Sequence, residues 1–150
     1  MSDSTKQVVG YEETKRLTKE VVGLVKNSDF EPDTILALST GGLPIGAAVA
    51  KQLKINGRNV IGLPIYKDKA GDYHLDESLV QLLDFTGRRV LVVDEASKRG
   101  LLAKKVIETV EQHGGTAKSC VLMAWSEGFQ PDFVAAACGE DVPDFYWEEI

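Results

Sequence analysis

Two short stretches carry residue types that could do chemistry. Residues 90–100 read VLVVDEASKRG: four apolar residues run into adjacent acids, Asp94 and Glu95, then Lys98, Arg99 and a lone Gly100 precede a helical pattern. A carboxylate pair at the carboxyl end of a strand can hold Mg²⁺ through water or accept hydrogen bonds from ribose hydroxyls. Successive strand side chains point to opposite faces, so the two acids reach one ligand together only if the strand has already ended. Cations in a helix's first turn are disfavoured by the dipole, by ~0.3–1 kcal/mol each, and a bound anion would reverse that. Residues 39–44 read STGGLP. Gly41 and Gly42, after a strand and before a helix, let backbone N–H groups approach a phosphate or pyrophosphate without side-chain interference. Each stretch also has a bland alternative. STGGLP could be a tight turn needing positive φ, and the acids a solvated strand terminus with Asp94 or Ser97 capping the helix. These alternatives compete less well with both loops together than with either alone.

The elements that must position these loops can be read from hydrophobic periodicity. Residues 11–26 carry Leu17, Val21, Val22, Leu24 and Val25 at helical spacing. TILALS (34–39) reads as a short apolar strand, Leu43 to Leu53 as an alanine-rich helix, and NVIGLPI (59–65) as a strand. RRVLVVD (88–94) is the clearest buried strand, Leu101 to His113 the clearest helix after it, and Gly114-Gly115 ends that helix. KSCVLMAW (118–125) and DFVAAAC (132–138) read as further strands. Alternating strands and helices imply an α/β domain with a mostly parallel sheet and helices on both faces. Ligands of such sheets sit at the carboxyl ends of the strands, which selects Ser39 to Pro44 and Asp94 to Leu102. The polar stretch 66–87 is long for a loop and is expected to hold a short hairpin and a flexible lid.

Composition sets outer limits. The 150 residues suffice for one domain with one core, and the hydrophobic fraction of 43% is that of a globular chain. No apolar run approaches the ~20 residues that span a bilayer, and MSDSTKQVVG carries no signal pattern. A net charge of −6 argues against a nucleic-acid surface. Cys120 and Cys138 lack metal-ligand spacing and read as reduced core residues of a cytoplasmic protein, with a disulfide as the minor alternative.

VLVVDE with its short loop and helix resembles the phosphoribosyl-pyrophosphate (PRPP) motif of the type I phosphoribosyltransferases. PDTILALSTGGLPIGAAVAKQL resembles that family's first strand, pyrophosphate loop and following helix. AWSEGFQPDFV and FYWEE resemble the carboxyl-terminal hood of the small purine enzymes that salvage xanthine, guanine or hypoxanthine. The resemblance covers nearly the whole chain. It implies a single three-layer α/β domain over 1–150, with a hood at about residues 126–150 and a mobile loop at about 66–78. It also implies a cytoplasmic homodimer that uses Mg²⁺ and transfers the phosphoribosyl group of PRPP to a purine-type base. The residues it points to are Asp94 and Glu95 for ribose and metal, with Lys98 at the third catalytic position. Ser39, Thr40, Gly41 and Gly42 fall at the pyrophosphate. Ala96, Ser97, Lys98, Arg99, Gly100 and Leu101 fall at the 5′-phosphate. Trp125, Phe145, Tyr146 and Trp147 are the candidates for the base, with hood and tail packing as the alternative for each.

The chain departs from the family pattern at functional positions. The family's loop continues as an acid, Thr, Gly, any residue, Thr; here the same places read Lys98, Arg99, Gly100, Leu101 and Leu102. The acid at the Lys98 position often handles the base's ring proton, and a lysine, a cation at neutral pH, does not accept one. Thr40 stands where the pyrophosphate loop has a basic residue, and Trp125 where the purine enzymes have a lysine that reads the base. A non-catalytic paralogue binding PRPP or a nucleotide as a sensor is therefore the competing reading, and an interaction module that lost the ligand is a third. His74 and His113 read as isolated, and Lys67 and Lys69 as solvated loop charges or as groups that close over pyrophosphate.

Overall fold

The computed structural model describes residues 7–150. Residues 1–6, part of the stretch read above for a targeting pattern, lie outside the described residues. In chain order the elements are β1 (Val8–Val9), α1 (Tyr11–Lys26), β2 (Thr34–Leu38), α2 (Gly42–Gln52), β3 (Val60–Leu63), β4 (Ile65–Lys67), β5 (Tyr73–Leu75), α3 (Glu77–Leu82), β6 (Arg89–Ser97), α4 (Leu101–Gln112), β7 (Thr116–Trp125), β8 (Phe133–Cys138) and β9 (Asp144–Phe145), closed by a 3-10 turn at Tyr146–Glu149. Five strands form one parallel sheet in the order β3-β2-β6-β7-β8.

Side-chain alternation divides the core between the two faces of this sheet. Ile35, Ala37, Leu91, Val93, Cys120 and Leu122 pack with Leu17, Val21 and Val25 of α1 and Ile45 and Val49 of α2. Leu36, Leu38, Val90 and Val92 point the other way and pack with Val80 of α3 and Val106 and Val110 of α4. The result is the three-layer α/β architecture expected from the alternating pattern. Both cysteines are free; burial pushes the Cys120 thiol up to about 12. No helix among the described residues is long and apolar enough to cross a membrane.

The sheet order fixes where a ligand can sit. The chain steps from β2 outward to β3 on one side, and from β6 through β7 to β8 on the other. The order therefore reverses between β2 and β6, and their carboxyl ends border the crevice where open α/β sheets bind ligands. The connections that leave these two strands are Ser39 to Gly41, into α2, and Lys98 to Gly100, into α4.

Three sequence expectations change. NVIGLPI is not one strand. Pro64 brings no N–H to a ladder, so β3 ends at Leu63 and β4 turns into a separate antiparallel hairpin with β5, Ile65 opposite Leu75 and Lys67 opposite Tyr73. The stretch read as hairpin and lid also holds α3, capped by Asp76, whose Oδ1 accepts from Ser78 N at 3.1 Å and Leu79 N at 3.4 Å. Finally, β6 does not stop at Asp94. It stays paired with β7 until Ser97 meets Ala124, because the polar residues DEAS remain beside the long neighbouring strand.

Candidate functional site

The acids lie on a strand that continues past them. Asp94 is opposite Val121 and Ala96 opposite Met123, and the pairing skips Glu95. The two carboxyls nonetheless stay close enough to act on each other despite their adjacent positions. Asp94 is partly buried; burial first, and then the Glu95 carboxyl, pushes its pKa well above the ordinary carboxyl range. Glu95 N–H donates to Asp94 Oδ1 at 2.9 Å. Glu95 Oε2 is buried and has no hydrogen-bond partner. An unsatisfied buried acceptor costs ~1–3 kcal/mol, more when charged, and calls for an explanation such as an ion or ligand.

Gly41 and Gly42 explain how Glu95 fits. Neither needs positive φ: Gly41 has φ −63°, and the left-handed glycines lie elsewhere. The tight-turn alternative is thus replaced by close approach. A Cβ on Gly41 would overlap the Glu95 carboxylate, and one on Gly42 would stand 2.5 Å from the Val93 carbonyl oxygen and 3.2 Å from Asp94 Cα. The amino end of α2 is pressed onto the acidic end of β6, and only glycine permits it. Thr40 O accepts from Leu43 N at 3.1 Å, and the Ser39–Thr40 peptide is cis. The Ser39 hydroxyl accepts from Ile65 N–H at 3.1 Å, so it also anchors the start of the β4–β5 hairpin.

The second loop ends differently from the capping alternative. Gly100, at φ 72°, is the N-cap of α4 and no side chain caps the helix, so neither Asp94 nor Ser97 does so. Ala96 and Ser97 close β6 and are partly buried, whereas Lys98 and Arg99 are exposed. Leu101 is 65% exposed, so its side chain lies outside the core.

The base candidates separate. Phe145 is fully buried and belongs to the core beneath α1, which removes its ring as a surface for a base. It stacks on Trp147, ring centroids 5.0 Å apart, and Tyr146 meets Trp147 edge-on at 5.2 Å. Trp147 Nε1 is buried without a partner, a donor left open beside the hood. Trp125 ends β7 opposite Cys138 and is partly buried.

Glu148 is a residue the sequence reading missed. It accepts from Phe145 N at 2.7 Å. Burial holds its carboxyl above the ordinary range against that bond, and the charges of Glu95 and Asp144 add to the rise. The tail therefore brings a further acid into the field of the Asp94–Glu95 pair. An acid directly after Trp147 was the signal available in the sequence. His74 is not isolated either: Nε2 meets Asp68 Oδ2 at 2.7 Å and the ring stacks on Tyr66 at 5.4 Å. Lys67 lies over the Tyr73 ring at 5.1 Å.

A magnesium ion fits this donor set. Mg²⁺ takes hard oxygens, keeps several waters and is commonly held by one or two carboxylates together with substrate phosphates. Asp94 and Glu95 supply two carboxylates and one orphaned buried oxygen. Among the described residues no group of three or more acid, His or Cys side chains is placed to cage a metal alone, so a ligand would complete the shell.

Two glycines and an acidic strand end meet at a topological switch point, the place where doubly wound α/β proteins bind ligands. The particular family follows from comparison. The chain belongs to the phosphoribosyl transferase domain family, whose model matches residues 9–149. It is 30% identical over 114 residues to a hypoxanthine/guanine phosphoribosyltransferase of Methanocella paludicola, covering 71% of this chain and 59% of that protein. It is 29% identical over 122 residues to an orotate phosphoribosyltransferase of Sulfurisphaera tokodaii, covering 79% and 56%. The chain thus spans less than two thirds of the length of these curated relatives. The fold matches a purine phosphoribosyltransferase from Pyrococcus horikoshii with TM-score 0.77, 21% identity and coverage of 96% and 95%. It also matches a Neisseria gonorrhoeae protein with bound ppGpp with TM-score 0.72, 17% identity and coverage of 96% and 90%.

Proposed function

We propose that this protein binds PRPP with Mg²⁺ across the β2 and β6 loops and transfers its phosphoribosyl group to a purine-type base. The observation that carries the reading is the packing of Gly41 and Gly42 onto β6, which leaves Glu95 Oε2 buried without a partner at the switch point. In this reading the ribose hydroxyls donate to the Asp94 and Glu95 carboxylates. The backbone N–H groups around Ser97 to Leu101 donate to the 5′-phosphate, with Lys98 and Arg99 beside them. The amino end of α2, from Thr40 to Gly42, receives pyrophosphate. Asp94 and Glu95 would hold the magnesium, which when bound supplies positive charge against the leaving pyrophosphate.

In the transfer, the bond between the ribose C1 and the pyrophosphate oxygen breaks and a bond from C1 to a ring nitrogen forms. Positive charge develops on the ribose as the leaving group departs, and the two carboxylates stabilise it electrostatically. The base loses its ring proton. In this reading Glu148, an acid in the field of the Asp94–Glu95 pair whose carboxyl burial holds above the ordinary range, is the group assigned to take it. Trp125 is in this reading the stacking candidate for a planar base, and the Trp147 indole N–H, buried without a partner, is the donor the tail offers. The family resemblance also implies a homodimer, which light scattering checks directly.

A second reading keeps the ligand and drops the chemistry. Lys98 stands where the family has its proton-handling acid, and a structural neighbour of similar fold carries bound ppGpp. Calorimetric titration with PRPP and Mg²⁺, followed by pyrophosphate release with xanthine, guanine and hypoxanthine, separates the two. Binding with release supports transfer. Binding without release moves the protein to the sensor reading, and no binding of PRPP or any nucleotide rejects both.

A further inference from the structure

The loop that leaves β7 does more than lead into β8. Phe129 N–H donates to the Arg99 carbonyl at 2.9 Å. Gly100 lies against the Phe129 carbonyl: an added Cβ would overlap that oxygen and stand 3.1 Å from Phe129 Cβ. Gly128, at φ 86°, faces back, and a Cβ there would meet the Arg99 carbonyl oxygen at 2.6 Å and Arg99 Cα at 3.0 Å. Main chain thus sits directly on main chain, between segments almost thirty residues apart in the sequence. Gln130 braces the same loop, its Nε2 donating to Trp125 O at 3.2 Å and Gly128 O at 3.4 Å. On the other side of the contact, α4 has no side-chain cap and Lys98 and Arg99 are exposed.

We propose that Gly128 and Phe129 are positioning residues: their loop clamps Arg99 and Gly100 in the shape that receives the 5′-phosphate. The inference rests on the phosphoribosyl reading above and adds to it the element that sets the phosphate loop's shape. A loop fixed before its ligand arrives loses less conformational freedom on binding, so the clamp is read out as phosphate affinity. Through Gln130 and the Trp125 carbonyl, the clamp also ties the phosphate end of the site to the strand end that carries a base candidate.

The test uses the full chain with two probes, a purine nucleoside 5′-monophosphate and inorganic pyrophosphate, each with Mg²⁺. Gly128→Ala drives a Cβ into Arg99. It should weaken the monophosphate by about tenfold or more, the scale of one lost hydrogen bond to a charged group, and leave pyrophosphate within about twofold. Gln130→Ala should shift the monophosphate in the same direction by less. Gly87→Ala is the control: φ is 72° there too, but nothing lies within 4 Å of the added Cβ, and neither affinity should change. Without ligand, amide hydrogen exchange at residues 98–101 should speed up in Gly128→Ala and not in Gly87→Ala. Unchanged monophosphate affinity, equal losses for both probes, or unchanged exchange would overturn the clamp. If the wild type binds neither probe, the phosphoribosyl reading fails, while the exchange measurement still decides whether the contact fixes the loop. If Gly128→Ala does not fold, Gln130→Ala carries the same two measurements.

Discussion

The two ends of the parallel sheet treat their acids in opposite ways. At the amino end, Asp33 accepts from Arg89 N at 3.0 Å and from the Thr34 hydroxyl at 2.9 Å, and faces the Arg89 guanidinium at 3.5 Å. Asp132 accepts from the backbone N–H of buried Ser119 at 2.9 Å. At the carboxyl end, Asp94 and Glu95 crowd each other, Glu148 adds its charge, and one Glu95 oxygen is buried with no partner. The first arrangement closes hydrogen bonds and stabilises the fold. The second leaves polar capacity unused inside a crevice, which is unfavourable until something cationic or rich in hydroxyls arrives. Acids satisfied at the amino end hold the sheet together, whereas those at the carboxyl end are the ones the proposed function uses.

The strongest way to break that comparison is Gly42→Ala. Its Cβ would meet backbone, at 2.5 Å from the Val93 carbonyl oxygen, so neither neighbour can rotate aside. We expect a stability loss of ~1–3 kcal/mol, as in overpacked cores, and loss of PRPP binding by about a hundredfold, since α2 must shift off β6. Urea denaturation and calorimetry measure the two effects. A variant that binds as the wild type does would show that the approach of α2 to β6 has nothing to do with the ligand.

Next in size is Asp94→Asn with Glu95→Gln. Binding of PRPP or a nucleoside monophosphate should fall by tenfold or more, the scale of charge-assisted hydrogen bonds at ~1.5–3 kcal/mol each. The melting temperature at neutral pH should hold or rise. The sign follows from Asp94: its folded-state pKa is raised, so the native state binds more protons than the unfolded one. Its favourable contribution is full below the unfolded value of ~3.9 and is lost as pH rises from there through the folded value. The double variant should flatten that decline, so its advantage over wild type appears above about pH 4 and vanishes below it. A melting temperature that drops at neutral pH would mean the acids are structural.

Asp132→Ala should give the opposite pattern. Removing the acceptor leaves the Ser119 N–H unpaired, at ~1–3 kcal/mol, while ligand affinity stays put. The smallest effect is expected for Lys98→Ala with Arg99→Ala. These exposed cations should contribute a few-fold to the affinity for a phosphate of about −1.5 to −2 charge, and the variant should depend less on salt. An unchanged salt slope would return both residues to the solvated surface.

Much of this contrast was legible in the sequence, and the exceptions have physical reasons. VLVV followed by two acids identifies the buried strand β6, because a continuous apolar run buried on both faces has few alternatives. The true end of β6 at Ser97 was not legible: DEAS has loop composition, and only pairing with β7 keeps it extended. The same alternation rule makes Asp94 and Glu95 look incompatible on one strand, yet the two carboxyls act on each other in the fold. Gly41 and Gly42 were singled out, but for the wrong competing cause; their need arises from Glu95 and Val93, fifty residues away in the chain. Phe145 is a base candidate only through the family resemblance, with tail packing as the alternative, and its full burial where β9 pairs with β1 settles it as packing. The contacts of Glu148, of His74 with Asp68, and of Gly128 with Arg99 join residues through turns and registers that no local pattern specifies.

In the proposed function the carboxyl ends of β2 and β6, and not the amino ends, receive a phosphoribosyl ligand. An amide ¹H–¹⁵N spectrum titrated with PRPP and Mg²⁺ tests this most directly. The account predicts that the saturable shifts concentrate at residues 40–43 and 95–101, while the amides of Arg89 and Ser119 at the opposite end stay in place. Shifts centred on the amino ends, or no saturable shift at any residue, would contradict it.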